Sequence, residues 1–211
     1  LGWSTLCWVA GDQLCQDYRN PEYPLAPLST EELIGIWDTT AGWYRPEVTQ
    51  AQMNLLDSHD VPRALHSLQG DLDALKLALV LLFLQPGAPC VYYGTEAALA
   101  GGPEPGCREG YPWGRPRNKA LQALIQDMAA LRMQHAAIRE GRLTWSRLGS
   151  DGLLGEIDGL QVVINRSRNQ LLPLADHIRS GTVIWSSDGL LTHSDSLSCQ
   201  SAVVVMGGES P

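Results

Sequence analysis

The chain has 211 residues, 44% of them apolar, and a formal net charge of −8. It can bury a sizeable core, but it lacks the clustered Lys and Arg that bind phosphate-rich partners, which argues against a nucleic-acid function. No membrane partner is indicated either, because the longest apolar run, Ala74 to Leu84, is interrupted by Lys76 and falls far short of the roughly 20 residues a bilayer requires.

The opening Leu1-Gly2-Trp3-Ser4 has neither an initiating Met nor the cationic lead of a signal peptide, which predicts a sequence that begins in mid-protein. Five cysteines, Cys7, Cys15, Cys90, Cys107 and Cys199, are odd in number and scattered. They signal neither a disulfide framework nor a zinc site, and each reads as a small buried apolar residue in a reducing, cytoplasmic setting.

From Gly2 to Pro46 the pattern is irregular and rich in Trp, Tyr and Pro, with Pro21, Pro24 and Pro27 expected to hold an extended loop. Within it Ser29-Thr30-Glu31-Glu32 reads as the start of a short helix, with Ser29 and Glu32 at the two capping-box positions. Gln52 to Leu56 reads as a strand. Asp71 then caps a helix that is apolar on every side, as expected for one buried between layers, and Pro86-Gly87 ends it. Cys90 to Tyr93 is β-branched and aromatic, hence a second strand that Gly94 breaks.

A Gly and Pro-rich loop follows through Gly101 to Pro116. From Lys119 to Arg139, residues Leu121, Leu124, Ile125, Met128, Leu131 and His135 fall on one helical face. After Gly141 the period changes to alternation, which predicts a domain boundary there, with 1–140 and 141–211 as the two parts. Strands are expected at 143–148, 153–157, 160–165, 182–185 and 202–206. Asp158-Gly159 forms a type I′ hairpin signal, and Ser150-Asp151-Gly152 marks another turn.

Two runs stand out: Asn54-Leu55-Leu56-Asp57-Ser58-His59-Asp60-Val61-Pro62-Arg63, and Pro86-Gly87-Ala88-Pro89-Cys90-Val91-Tyr92-Tyr93-Gly94-Thr95-Glu96. Each is a short apolar strand ending in polar residues, with an apolar helix between them, which is the pattern of a β/α barrel with chemistry just past each strand. Both runs, with Gly101-Gly102-Pro103 and Cys107-Arg108 beyond, resemble motifs of the α-amylase family of glycoside hydrolases, most nearly its neopullulanase and cyclomaltodextrinase branch. The resemblance is good over residues 45 to 145, architectural over the β tail, and poor over the first forty residues. It implies α/β plus all-β architecture: the C-terminal part of a (β/α)8 TIM barrel followed by an antiparallel β-sandwich.

That resemblance also implies cleavage of α-glucosidic bonds with retention, by a carboxylate nucleophile and a carboxylic acid that protonates the leaving oxygen. A third carboxylate holds sugar hydroxyls and favours ring distortion. This role falls on Asp60, with His59 donating to hydroxyls of the same glucose unit. On spacing alone His59-Asp60 reads as a local turn at a strand end; the full ten-residue match reverses that reading. Substrate contacts are assigned to Arg63, Glu96, Arg108 and Trp113, with an alternative for all but Arg108. Arg63 could pair with a surface acid, Trp113 could be core filler, and Glu96 is better suited to bracing the strand, because Thr95 stands where the family usually has Asp.

The family's nucleophile and proton-donor motifs are not found. The one Phe, Phe83, lies in a helix, no Asn is followed by His, and a whole barrel needs about 250 residues. These 211 residues are therefore expected to be inactive alone. His66 and His135 lack acidic or Cys neighbours at ligand spacing and read as structural or exposed; no cofactor is expected, and calcium dependence stays open, since no Asp-rich loop makes it readable. The expected partner is an α-glucan oligosaccharide or polysaccharide. A non-catalytic carbohydrate-binding relative and a transglycosylase remain open readings, as do α-1,4 against α-1,6 preference and oligomeric state.

Overall fold

The computed structural model describes residues 1–18, 25–114, 116, 118–188 and 195–207, the side chain of residue 177 excepted; the expected loop residues Pro21 and Pro24 lie outside these. The N-terminal stretch is more regular at its start than expected, while 14–18 and 25–29 carry no helix or strand. Gly2–Ala10 forms a helix, α1, with Ser4 to Ala10 buried. It has no side-chain cap and no polar face, the two signals by which a helix is read from sequence. The indoles hold it instead: Trp8 Nε1 donates to Thr30 Oγ1 at 3.1 Å, and Trp37 Nε1 donates to Ser4 Oγ at 3.1 Å.

Helix α2 (Thr30–Ala41) begins at the expected capping box. Ser29 Oγ accepts from the Glu32 N–H at 3.2 Å, and the Glu32 carboxylate accepts from the Ser29 N–H at 2.8 Å. A short α3 (Pro46–Gln50) leads into β1 (Met53–Asn54), the paired part of the strand expected at 52–56. After α4 (Ala64–Ser67), Asp71 caps α5 (Leu72–Leu84), its Oδ1 accepting from the Asp73 and Ala74 N–H groups at 3.0 Å. Every residue from Leu77 to Leu84 in α5 is buried, as its all-round apolarity requires.

The second expected strand is displaced towards the N-terminus. β2 is Ala88–Pro89, parallel to β1, with one further ladder bond from the Cys90 N–H to the Asn54 carbonyl at 2.8 Å. Residues 91–93 leave the ladder as the chain turns into Gly94 at φ 88, and the Tyr93 carbonyl is taken by Arg63 instead. β1 and β2 are the only parallel pair among the described residues. No helix among them is long and apolar enough to cross a membrane.

The expected 119–139 helix is two: α6 (Lys119–Gln134) and α7 (Ala136–Glu140), broken at His135 with φ −112 and ψ 98. Arg132, buried on α6, ties the end of α5 to α7. Its guanidinium donates to the carbonyls of Phe83 at 2.8 Å, Gln85 at 3.0 Å and Ile138 at 3.3 Å, and to that of Gly87. It thereby satisfies the carbonyls that the C-terminal end of α5 leaves without helical partners.

The alternating region forms an antiparallel sheet of β3 (Thr144–Leu148), β4 (Gly152–Ile157), β5 (Leu160–Asn165), β7 (Thr182–Ser186) and β9 (Ser201–Met206), ordered β3-β4-β5-β9-β7. A second layer is slight: β6 (Leu172–Pro173) pairs with β8 (Ser196–Leu197), and α8 (Asp176–Arg179) lies beside them. The strand period of two divides the sheet's side chains. Leu153, Val162, Ile164 and Val204 join the core of the helices, whereas Leu154, Val163, Val203 and Val205 pack with Leu172, Ile178 and Leu197. The β4–β5 hairpin turns on Asp158 and Gly159, both at positive φ, as a type I′ turn demands.

Helices and sheet are also tied by charge. The Arg166 guanidinium lies 5.1 Å from the Trp8 ring centroid and donates to the Trp8 and Leu28 carbonyls at 2.6 and 2.7 Å, while its Nε meets Asp151 at 2.9 Å. Arg168 pairs with Asp71 at 2.7 Å and donates to the Ala10 carbonyl at 3.1 Å. Replacing Arg132 by Met should orphan the carbonyls it serves and lower stability by about 2–4 kcal/mol. Urea unfolding measures this, and a loss below about 0.5 kcal/mol, the range of neutral surface changes, would contradict the assignment.

Candidate functional site

The segment after β1 runs from a buried carboxylate to an exposed one. Asp57 is buried: its Oδ2 accepts from the Ala64 N–H at 2.9 Å, at the start of α4, and from Thr95 Oγ1 at 3.0 Å, across from the end of β2. Burial pushes the Asp57 carboxyl up, against the pull of these hydrogen bonds and of the nearby Arg63 charge. Thr95, at the position where Asp was expected from the family pattern, thus serves as a neutral donor that joins the two strand ends.

Asp60 and His59 lie close beyond, each with a side chain 65% exposed, and His59 Nε2 stands 3.2 Å from Asp60 Oδ2. Ser58 Oγ accepts from the Asp60 N–H at 3.1 Å, a local turn that sets the carboxylate's direction. The loop from Gly101 to Arg108 locks the pair from outside. Arg108 Nε donates to the His59 carbonyl at 2.9 Å, Cys107 Sγ donates to the same oxygen at 3.1 Å, and an Arg108 terminal nitrogen lies 3.6 Å from Asp60 Oδ1. Arg108 also pairs with Glu104 at 2.8 Å. The loop can close on itself because Gly101 has no Cβ; one added there would fall 2.2 Å from the Gly106 carbonyl oxygen.

Arg63 is elsewhere than expected. It is fully buried, so its guanidinium cannot reach a sugar or a surface acid. It sits 4.4 Å and 4.7 Å from the ring centroids of Tyr92 and Tyr93, donates to the Tyr93 carbonyl, and leaves Nε and one terminal nitrogen without hydrogen-bond partners. The cation is held chiefly by ring faces. Burial, and then Tyr93, push the Tyr92 phenol up to about 12, so the ring stays neutral. Glu96 braces its own turn by accepting from the Gly94 N–H at 2.8 Å. Trp113 is not core filler: it is 81% exposed, tilted against Tyr111 at 4.5 Å.

Beside β1 lies a depression of about 450 Å³ lined by Trp3, Met53, Leu55, Ser58 and Val61, among others. His66 does have the acidic and Cys neighbours that sequence spacing did not indicate. Asp17 and Cys15, some fifty residues earlier, lie against its ring at 2.6 and 3.8 Å. His135 forms the cap between α6 and α7.

No protein-family model matches the chain. A maltogenic α-amylase from Bacillus acidopullulyticus is 30% identical over 209 residues, 89% of this chain and 35% of that protein. A Bacillus cyclomaltodextrinase is 42% identical over 99 residues, 46% of this chain and 18% of that protein. The crystal structure of a Thermus thermophilus protein, Ttha1563, superposes with a TM-score of 0.82 at 30% identity, covering 98% of this chain and 47% of that one. The chain therefore spans about a third or less of the length of these curated relatives. Such relatives are glycoside hydrolases. Over most of its length the chain is thus similar to members of the α-amylase family.

The buried Asp57 gives the site a pH signature. Between the ordinary carboxylate range and Asp57's raised value, the folded chain holds a proton that the unfolded chain has released, so stability falls as pH rises through that interval. The neutral Asp57→Asn variant should lose this slope and gain relative to wild type as pH rises. Urea midpoints across pH measure it, and parallel profiles would contradict it.

Proposed function

We propose that this chain is the segment of an α-glucan-cleaving enzyme that carries the last two strands of a (β/α)8 barrel and the β domain following it, with residues 1–140 and 141–211 as the two parts. The observation that carries the reading is the cluster after β1. There an exposed carboxylate, Asp60, is oriented by its own turn, flanked by the His59 imidazole, and fixed from behind by Cys107 and Arg108 on the His59 backbone. In a retaining mechanism such a carboxylate neither attacks nor protonates. It accepts hydrogen bonds from sugar hydroxyls, and these strengthen as the ring flattens and gains positive charge, so it stabilises the transition state more than the bound substrate.

His59 would share the same sugar unit. Arg108 would tune the carboxylate and brace the loop, and Glu96 would brace the strand end. Trp113, exposed and amphipathic, is suited to stack on a pyranose face at the outer rim. Arg63 would act through position alone, fixing the segment between His59 and α4. The substrate class follows from the relatives, among them a cyclomaltodextrinase, a maltogenic amylase and the neopullulanase 2 of Thermoactinomyces vulgaris. A cytoplasmic setting is in keeping with the intracellular maltogenic amylase of Bacillus subtilis, 36% identical over 104 residues.

The nucleophile and the acid must come from residues beyond these 211, because catalytic carboxylates act as a unit and the orienting one supplies neither role. The purified 211 residues should therefore show no turnover of cyclodextrin or pullulan above background. In a protein that carries the remaining barrel, Asp60→Asn should lower kcat by about 10²-fold or more with little change in folding, and Trp113→Ala should act chiefly on KM. Turnover by the 211 residues alone, or an Asp60→Asn enzyme with full kcat, would overturn the assignment.

A further inference from the structure

We propose that Cys15, Asp17 and His66 form a binding site for Zn²⁺ or a similarly borderline divalent cation. The site lies apart from the Asp60 cluster and presumes nothing about glucan chemistry. The three donor atoms, a thiol sulfur, a carboxylate oxygen and an imidazole nitrogen, lie within 4.8 Å of one another. Sulfur, nitrogen and oxygen from Cys, His and Asp are the donor set of zinc sites, and three protein ligands leave the fourth tetrahedral position to solvent.

The geometry is close to what the ion needs. Ligand atoms around tetrahedral Zn²⁺ stand roughly 3.3–3.7 Å apart, given bonds of about 2.0–2.3 Å. His66 Nε2 is already 3.8 Å from Cys15 Sγ, and 2.6 Å from Asp17 Oδ2. The second distance is a hydrogen bond, so the ion would take the place of one proton while the carboxylate moves back by about an ångström or less. Asp17 is free to do so, its side chain being 47% exposed. The thiol would give up its proton on binding.

Two features pre-form the site although its residues are about fifty positions apart. The Cys15 N–H donates to the Ser67 carbonyl at 2.9 Å, and the Gln69 side chain donates to the Gln13 carbonyl at 2.8 Å, so the C-terminal end of α4 and the turn after it grip the 13–15 segment. Gly102 lies against the imidazole, where an added Cβ would stand 3.2 Å from His66 Cε1 and 3.4 Å from Nε2, so backbone packs closely on the ring. The ion would thereby tie the residue 15–17 loop to α4 and to the Gly101–Arg108 loop.

The test is a titration of the reduced 211-residue chain with Zn²⁺ against a chromophoric chelator, paired with alkylation of its thiols read by peptide mass spectrometry. One equivalent should bind, with Cys15→Ser and His66→Gln each weakening it roughly tenfold or more. Zn²⁺ should slow labelling of Cys15 and leave Cys90 and Cys199 unaffected. The labelling uses the unsubstituted chain and decides the matter even where a variant does not fold. Unchanged Zn²⁺ affinity in both folded variants, or Cys15 labelled equally fast with and without the ion, would overturn the proposal.

Discussion

A helix that is apolar on every side admits only one kind of environment, and α5 imposes that condition on everything around it. Its residues from Leu77 to Leu84 are all buried, so neighbours must cover every face. α1 and α6 cover it in the helical part, and one face of the five-stranded sheet completes the enclosure, giving a single apolar cluster from Leu6 to Val204. Enclosure has a polar cost at the helix end, where carbonyls lose water as well as helical partners. Arg132 meets that cost with one guanidinium, and its reach fixes where α6 lies.

The same logic sets the site. β1 and β2 are short, and what holds their ends together is polar and buried: Asp57 joined to Thr95 and to the start of α4. This buried junction lets the next three residues emerge into solvent in a fixed direction, so that Asp60 is oriented without being desolvated. Arg63 closes the other side with a cation lying against two tyrosine rings that also touch each other. A carboxylate at the surface is thus positioned as much by buried groups that never reach it as by Ser58, His59 and Arg108 beside it.

How much of this was legible follows from the range of each interaction. The capping residues Ser29 and Asp71, the Asp158-Gly159 turn and the alternating strands are local, and the structure places them where the sequence pattern does, within a residue or two. α1 was invisible because its stability comes from Trp8 and Trp37 reaching across the fold rather than from a cap or an amphipathic face. The bend of residues 91–93 away from the ladder involves Arg63, some thirty residues earlier. The approach of Cys15 and Asp17 to His66 depends on a loop docking on α4, which no spacing rule encodes. For the Asp60 segment the motif singles out Arg63 with its neighbours, but only the three-dimensional packing makes Arg63 internal.

The double arginine step after β5 has a wider implication. Arg166 and Arg168 reach out of the sheet to the main-chain oxygens of Trp8, Leu28 and Ala10, and Val162, Ile164 and Val204 lie inside the helical core. A cut in the link before β3 would strip apolar cover from both pieces and leave charged groups facing partners that had gone. What reads along the chain as two consecutive parts therefore shares one apolar core and one set of buried polar ties, so that damage to the sheet should be felt as loosening among the helices that support the Asp60 segment.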